Sequence, residues 1–297
     1  MRFKQVAVTI LLSVVVYANH TYAARPETIN IGVTAVFLTH KTRFMNEWQD
    51  YLEKRLGQPV KFLQRSSYRE IMDLLLDGQL DFAWICGYPY IRHKAQLRLM
   101  AVPLYEGEPL YRSYLIVPQN DNTTTSLTDL EGKVFAFSDP DSNSGYLVPQ
   151  YTLHTKGLDA KTFFRKNFFT WAHDKVVNAV AFNVADGGAV DGYVWETLAL
   201  INPQLTARTR VVSKSDKFGF PPLVARIDVN STVFSRVQAV FLKMNKDALG
   251  SNLLKQVNLD GFTEGHPRLF DAIGHMASTF LANANAGKPK PPIQDPS

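Results

Sequence analysis

The stretch that decides the fold is Phe137-Ser-Asp-Pro-Asp-Ser-Asn-Ser-Gly-Tyr-Leu-Val-Pro149, which follows a short apolar strand predicted over Lys133–Phe137. A strand, a polar turn containing glycine, and a helix predicted from about Ser144 to Lys156 succeed one another here. The free N–H groups and the dipole of a helix start attract anions, and the hydroxyls of Ser142 and Ser144 add donors. The pattern is typical of an anion-binding nest, although the same residue types also form ordinary turns and helix caps.

A calcium loop fits this stretch poorly. Gly145 comes one position too late for the usual spacing, and Gln150 stands where such a loop places a bidentate glutamate. The sequence also has no G-x-S-x-G elbow, no H-E-x-x-H motif and no paired cysteine or histidine spacing. We therefore expect no metal site, no cofactor and no enzymatic activity.

A secretory signal peptide is predicted over Met1–Ala23. Two basic residues precede the apolar run Val6–Tyr17, and small or polar residues ending in Thr-Tyr-Ala follow it. Cleavage after Ala23 is the first expectation, and cleavage after Ala24 is the alternative. Because the run is too short to span a bilayer comfortably and contains no cysteine for a lipid anchor, we expect a periplasmic chain that does not insert into the membrane.

The charge of the chain suits small anions rather than nucleic acid. Removal of Arg2 and Lys4 with the signal peptide lowers the formal net charge of +5 by two. The remaining lysines and arginines are scattered along the chain instead of being gathered on one stripe. We therefore expect no nucleic-acid partner.

Strand-like and helix-like patterns alternate after the signal peptide. This order favours a parallel sheet with helices on both faces, and ligands of such sheets lie beyond the carboxyl ends of the strands. That rule places Phe37–Thr42 and Cys86–Tyr90 at a candidate cleft. The predicted elements are a strand over Thr28–Val36, a helix over Lys41–Leu56, a strand over Val60–Leu63, a helix over Tyr68–Leu76 and a strand over Leu80–Ile85.

A second α/β unit is predicted after the strand Tyr111–Val117, because the polar stretch Pro118–Thr128 marks a boundary. The helices predicted over Val233–Leu249 and Pro267–Leu281 have no third sheet to cover, so they are expected to pack back on the first unit. The predicted fold is thus α/β with two lobes and two crossovers between them. Residues 25–117 and 217–282 form lobe 1, residues 118–216 form lobe 2, and the proline-rich residues 283–297 are expected to be disordered.

Several spaced motifs occur in order over about residues 28–280. The motifs are Tyr68-Arg-Glu-Ile, Gly78-Gln-Leu-Asp-Phe-Ala-Trp84, Tyr111-Arg-Ser-Tyr-Leu-Ile-Val117, Asp139-Pro-Asp-Ser-Asn-Ser-Gly145, and His173-Asp174 before Asn178-Ala-Val180. Through these motifs the chain is similar to the PhnD-like periplasmic phosphonate-binding proteins of ABC transporters, which are type II solute-binding proteins.

This resemblance implies two hinged lobes, each a mixed sheet flanked by helices, that close on a phosphonate, phosphite or phosphate-like oxyanion. It also implies a monomer that serves an ABC permease in the inner membrane. The implied ligand-binding residues include the turn Ser142–Gly145, with Asn143 in its middle. His173 would donate a further hydrogen bond, and Tyr68 and Tyr111 would close on the anion from lobe 1.

Two features of the chain concern the choice of ligand. Asp191 is a candidate partner for the amino group of an aminophosphonate, whereas Tyr193 and Trp195 nearby suggest a smaller or less cationic ligand. The second feature is Cys86, the only cysteine, which follows a predicted strand and faces the predicted cleft.

The lone thiol of Cys86 leaves several interpretations open. It can be a small buried hydrophobic group, pair between chains, or bind a soft ligand. A cleft cysteine is similar to that of arsenite-binding sensors, so the alternative function is a periplasmic sensor of an oxyanion or arsenite that instructs a membrane histidine kinase. A hard oxyanion gains little from sulfur, so we expect Cys86 to lie near the cleft without being essential for binding a phosphorus oxyanion.

Overall fold

The computed structural model describes residues 27–34 and 42–286 of the 297-residue chain. The predicted signal peptide, most of the predicted cleft segment Phe37–Thr42, and the residues after 286 lie outside this description. None of the helices in the described ranges has the length and apolarity needed to cross a membrane.

A six-stranded mixed sheet forms lobe 1. Its strand order is β13-β4-β12-β3-β1-β2, in which β1 runs parallel to β2 and β3, and β12 and β13 run antiparallel to their neighbours. The strands are β1 (Ile29–Val33), β2 (Val60–Gln64), β3 (Phe82–Trp84), β4 (Leu97–Leu104), β12 (Leu223–Arg226) and β13 (Gly261–Thr263).

A five-stranded mixed sheet forms lobe 2, with the order β10-β6-β9-β7-β8. Strands β7, β8 and β9 are parallel, so their carboxyl ends share one edge. The strands are β6 (Ser113–Pro118), β7 (Val134–Phe137), β8 (Lys166–Phe169), β9 (Gly187–Asp191) and β10 (Thr209–Lys214). Between the lobes, β5 (Leu110–Tyr111) pairs with β11 (Phe218–Gly219).

Helices cover both sheets. They are α1 (Thr42–Leu56), α2 (Tyr68–Leu76), α3 (Gly87–His93), α4 (Val148–His154), α5 (Ala160–Phe163), α6 (His173–Ala181), α7 (Gly192–Ile201), α8 (Pro203–Thr206), α9 (Ser231–Leu242), α10 (Ala248–Gln256) and α11 (Asp271–Ala286). A π-helical turn over Asn143–Leu147 leads into α4, and 3-10 turns lie at Lys94–Gln96, Leu127–Leu130, Met244–Lys246 and Pro267–Phe270.

Helix α1 shows how the sequence pattern produces the packing. Phe44, Trp48, Leu52 and Leu56 recur every four residues and are all buried, so one face of the helix covers the sheet of lobe 1. The indole of Trp48 lies edge-on to the fully buried Trp84 of β3, with 5.6 Å between the ring centroids. This contact ties the helix to the middle of the sheet.

The first crossover comes earlier in the chain than predicted. The apolar stretch Tyr111–Val117, expected as one strand of lobe 1, is divided at Arg112: β5 stays between the lobes, and β6 pairs with β9 and β10 of lobe 2. Both parts are buried, so the apolar pattern continues across the crossover and no turn residue marks it. The boundary at 117 therefore has to move to Arg112.

Other predicted bounds also change. Strand β9 ends at Asp191, because the Asp191 side chain caps helix α7. The helix predicted over Val233–Leu249 is divided in two, since Asp247 caps α10. Beyond residue 227, β13 adds an edge strand to the sheet of lobe 1, where only helices were expected.

Helix α11 spans both lobes. Its first turns pack on α3 of lobe 1, and its later residues reach α4 and the π-helical turn of lobe 2, where the Phe280 ring lies 6.4 Å from that of Tyr146. The helix continues to Ala286, so the disorder predicted from Asn283 is wrong for the first four residues of that tail. Its apolar side, which includes the buried Ile273 and Ala277, explains why it docks.

Truncation of Leu52 should destabilise the protein far more than truncation of Leu200. Leu52 is 0% exposed in α1 and Leu200 is 69% exposed in α7, so only Leu52→Ala leaves a cavity. We expect Leu52→Ala to lower the free energy of unfolding by about 2–5 kcal/mol and Leu200→Ala to change it by less than about 0.5 kcal/mol. Urea unfolding of both variants checks this, and equal losses would contradict the packing of α1.

Candidate anion-binding site

The nine residues predicted for the site come together where the two lobes meet. Strand β3 ends before Cys86, β7 ends before the turn that leads to Asn143, and β9 ends at Asp191. All of these positions are at the carboxyl ends of parallel strands, as expected for an α/β ligand site. Even Tyr111, the most exposed of these side chains, is only 3% exposed, so the lobes seal the site from water.

The turn after β7 is wound tightly around Gly145. The Gly145 N–H donates to the Ser142 Oγ at 3.0 Å, and the Leu147 N–H donates to the Ser142 carbonyl at 3.0 Å, which makes one wide π-helical turn. A Cβ atom at Gly145 would lie 1.9 Å from the Ser138 Oγ and 3.1 Å from the His173 Cε1. Only glycine fits here, because Ser138 and His173 lie directly against the turn at this position.

Asn143 connects this turn to lobe 1. Its backbone N–H donates to the Cys86 Sγ at 3.2 Å, and its side-chain Nδ2 donates to the Tyr111 hydroxyl at 3.0 Å. The Ser113 hydroxyl donates to the Ser144 carbonyl at 2.7 Å and fixes the turn on the sheet of lobe 2. Cys86 and Tyr111 are thereby held beside the predicted anion-binding residues.

Several polar atoms of this site are buried without a partner. The side-chain oxygens of Tyr68, Ser138, Asn143 and Ser144 have no hydrogen-bond partner within the described part of the chain, and the only other such atom there is the indole nitrogen of Trp48 in lobe 1. A buried polar group without a partner costs about 1–3 kcal/mol, so such atoms are rare and seldom gather in one place. Three of the four belong to hydroxyls, which can donate to an oxygen-bearing ligand.

His173 offers a neutral donor. Its Nδ1 accepts the backbone N–H of Asp191 at 3.0 Å. Burial lowers the pKa of His173 to about 3, so the ring is uncharged at neutral pH. Because Nδ1 is an acceptor, the single proton of the ring lies on Nε2, which is the donor of the ring.

Asp191 caps helix α7 and is uncharged over much of the pH range. Its Oδ1 accepts the N–H groups of Tyr193 at 2.9 Å and Val194 at 3.4 Å. Burial raises the pKa of Asp191 to about 8, so this carboxyl is mostly protonated at neutral pH. Tyr193 and Trp195, which suggested a small ligand, are engaged elsewhere: the Tyr193 hydroxyl donates to the Val257 carbonyl, and the Trp195 indole donates to Thr209.

The Cys86 thiol is protonated and serves as a hydrogen-bond acceptor. Burial raises its pKa to about 11, so the thiolate that binds soft metals is disfavoured. Within residues 27–34 and 42–286 there is also no group of three His, Cys, Asp or Glu residues placed to hold a metal ion.

Three residues of lobe 2 in this region were not predicted as part of the site. Ser138 lies under Gly145, and Asp139 accepts the backbone N–H of Tyr68 through Oδ2 at 3.0 Å. Asp141 forms ion pairs with Arg92 at 2.6 Å and with Arg69 at 3.6 Å. The two acidic residues belong to the quoted motif, but sequence alone did not show which groups of lobe 1 they would face.

The pH dependence of stability should report on Asp191. An unfolded aspartate titrates near pH 3.9, whereas the folded group titrates near 8, so its contribution to stability is present at low pH and is lost as the pH rises toward 8. Asp191→Asn keeps a helix-capping oxygen and removes this titration. Relative to wild type, we expect its free energy of unfolding to rise by at least about 1.4 kcal/mol, one pKa unit, between pH 5 and pH 9.

Urea unfolding at both pH values measures this difference. The exposed Asp50 on α1 supplies the matched control, and Asp50→Asn should give the same difference from wild type at both pH values. A difference for Asp191→Asn that stays constant with pH would show that Asp191 is ionised in the folded protein.

Comparison with known proteins gives a consistent result. Residues 31–270 match the family model of the ABC transporter, phosphonate, periplasmic substrate-binding protein. The chain is 26% identical over 226 residues to the phosphate-import protein PhnD of Mycolicibacterium smegmatis, covering 72% of this chain and 68% of that protein.

Two solved structures share the fold. The binding protein of an ABC phosphonate transporter from Pseudomonas aeruginosa superimposes with a TM-score of 0.80 at 21% identity, covering 90% of this chain and 91% of that chain. PhnD1 of Prochlorococcus marinus in complex with methylphosphonate gives a TM-score of 0.77 at 20% identity, covering 86% and 99%. With the family match over most of its length, the chain belongs to the periplasmic phosphonate-binding proteins of ABC transporters.

Proposed function

We propose that this protein captures a small phosphorus oxyanion between its lobes and delivers it to the permease of an ABC transporter. The observation that carries the proposal is the gathering of buried, unpaired hydroxyls around the turn Ser142–Gly145. Family membership supports the transport role. The predicted signal peptide supports a periplasmic location, and we propose that the protein acts there as a monomer.

The donor set suits a tetrahedral oxyanion. The hydroxyls of Tyr68, Ser138 and Ser144 and the Nε2 of His173 are neutral donors, and the π-helical turn adds the positive end of a short helix. Hydrogen bonds to a charged oxygen are roughly twice as strong as those between neutral groups. Donors that remain unpaired without a ligand therefore have most to gain from an anion.

The same groups favour binding over chemistry. His173 uses Nδ1 to hold the Asp191 backbone and has a pKa of about 3, so it is a poor general base near neutral pH. The Cys86 thiol is protonated, with a pKa of about 11, and it accepts the Asn143 N–H. A protonated single thiol also gives no support to arsenite as the ligand, so we propose transport rather than arsenite sensing.

Ser144→Ala should weaken ligand binding without harming the fold. The Ser144 Oγ makes no hydrogen bond of standard geometry and lies near the Tyr111 hydroxyl, so its removal costs little internal bonding and takes away one donor to the anion. A hydrogen bond to a charged group is worth about 1.5–3 kcal/mol, so the dissociation constant should rise at least about tenfold.

Calorimetric titration with methylphosphonate, alongside thermal unfolding, measures both effects. Ser278→Ala on the outer side of α11 is the matched serine control and should bind like wild type, because Ser278 is exposed and donates only within its own helix. An unchanged dissociation constant in Ser144→Ala would remove this hydroxyl from the site.

The ligand should be compact and should lack an ammonium group. The site is sealed, and the buried carboxyl of Asp191 is largely uncharged at neutral pH, so it offers no fixed negative charge to an amine. Both oxygens of the neighbouring Asp139 already accept backbone N–H groups. We expect phosphite, phosphate or methylphosphonate to bind at least about tenfold more tightly than 2-aminoethylphosphonate.

A thermal-shift panel of these four anions at pH 7, with sulfate and arsenite added, tests this choice, since a ligand that binds only the native state raises its stability. The largest shift from 2-aminoethylphosphonate would contradict a neutral Asp191. The largest shift from arsenite would contradict the proposed class of ligand.

A further inference from the structure

Asp141 is held by two arginines of the opposite lobe. It lies in lobe 2 on the turn before Asn143, whereas Arg92 comes from α3 and Arg69 from α2, both in lobe 1. The Arg92 Nη1 lies 2.6 Å from the Asp141 Oδ1, and the Arg69 Nε lies 3.6 Å from Oδ2. The Asp141 side chain is only 8% exposed, so the pairs close over it.

Arg92 is fixed in this position from a second side. Its guanidinium stacks over the Tyr88 ring at 5.6 Å from the centroid, and Tyr88 is itself buried in α3. An arginine held by an aromatic face and a carboxylate loses less freedom on pairing than a free surface side chain. The ion pair between Arg92 and Asp141 therefore has a fixed geometry when the lobes are closed.

One short segment carries these contacts and others between the lobes. Residues 139–143 of lobe 2 meet lobe 1 through the pairs Tyr68–Asp139, Arg69–Asp141, Arg92–Asp141, Cys86–Asn143 and Tyr111–Asn143. The same segment leads directly into the anion-binding turn. The residues that join the lobes and the residues that complete the candidate site thus lie on one continuous segment.

We propose that Asp141, Arg92 and Arg69 form a latch that holds the lobes closed and sets how long the ligand is retained. This inference rests on the proposed function for its ligand, although the contacts of the latch do not involve the ligand. The three are positioning residues, which act through lobe closure.

The charges explain why the latch suits an anion. With the lobes apart, the carboxylate of Asp141 would stand unpaired beside the entrance to an anion-binding turn and would repel the ligand. Closure brings Arg92 and Arg69 onto it and removes that repulsion. The pair therefore favours the closed form of the protein with its anion inside.

The single cysteine provides a direct probe of opening. Cys86 is 2% exposed and is covered by Asn143 of the opposite lobe, so a maleimide can reach its thiol only when the lobes separate. The experiment measures the rate of Cys86 labelling at pH 8 for wild type, Asp141→Asn, Arg92→Gln and the double variant, each without ligand and with saturating methylphosphonate. Asp228→Asn, which breaks an ion pair with Arg226 within lobe 1, is the matched control.

We expect both single variants to be labelled about five- to tenfold faster than wild type, as for loss of a partly buried ion pair. The double variant should be labelled about as fast as Asp141→Asn, because that change already removes the partner of both arginines. Asp228→Asn should match wild type. Circular dichroism and thermal unfolding identify any variant that fails to fold, and Arg69→Gln, which removes the other arginine on Asp141, replaces Arg92→Gln if needed.

The dissociation constant for methylphosphonate distinguishes the latch from simple repulsion of the anion by Asp141. If Asp141 only repelled the anion, Asp141→Asn would bind methylphosphonate more tightly, whereas the latch requires weaker binding and faster release in this variant. Labelling of Asp141→Asn at the wild-type rate would overturn the latch even if anions bind. If the labelling order holds but calorimetry finds no phosphorus oxyanion that binds wild type, the latch stands and the proposed function fails.

Discussion

The candidate site depends on one physical constraint: hydroxyl groups are buried away from water without a hydrogen-bond partner. The oxygens of Tyr68, Ser138 and Ser144 are buried where the lobes meet, and each leaves a hydrogen bond unmade. Such groups are tolerated when a ligand supplies the missing partner, and an oxyanion offers several acceptors at once. The closed arrangement, the neutral His173 and the protonated Asp191 are all consistent with a site that is completed from outside the chain.

The fold supplies that site by bringing strand ends together. Strands β7, β8 and β9 run parallel, so the turn before Asn143, the loop before His173 and the cap at Asp191 all leave the sheet of lobe 2 at one edge. Lobe 1 presents the end of β3 and the start of α2 to that edge. The crossover at Arg112 leaves Tyr111 between the lobes, where its hydroxyl meets Asn143.

The grouping of the candidate site residues could be predicted from the sequence because its signals are local. Gly145 stands at a position that only glycine can occupy, and the serine hydroxyls stand at a helix start. Both signals lie within a few adjacent residues. Long-range features were missed. The apolar pattern runs without a break through the crossover at Arg112. Strand β4 has both faces largely covered, so its sequence alternates too little between apolar and polar residues to be recognised as a strand. The role of Asp141 could not be found either, because Arg69 and Arg92 come from two other elements of the chain.

The most direct test of the central claim is a crystal structure of the protein grown with methylphosphonate. It should show the anion enclosed between the lobes, with its oxygens within hydrogen-bond distance of the Tyr68 and Ser144 hydroxyls and of the His173 Nε2. Hydroxyls that are satisfied by water or by one another, with methylphosphonate absent or bound on the outer surface, would contradict the account.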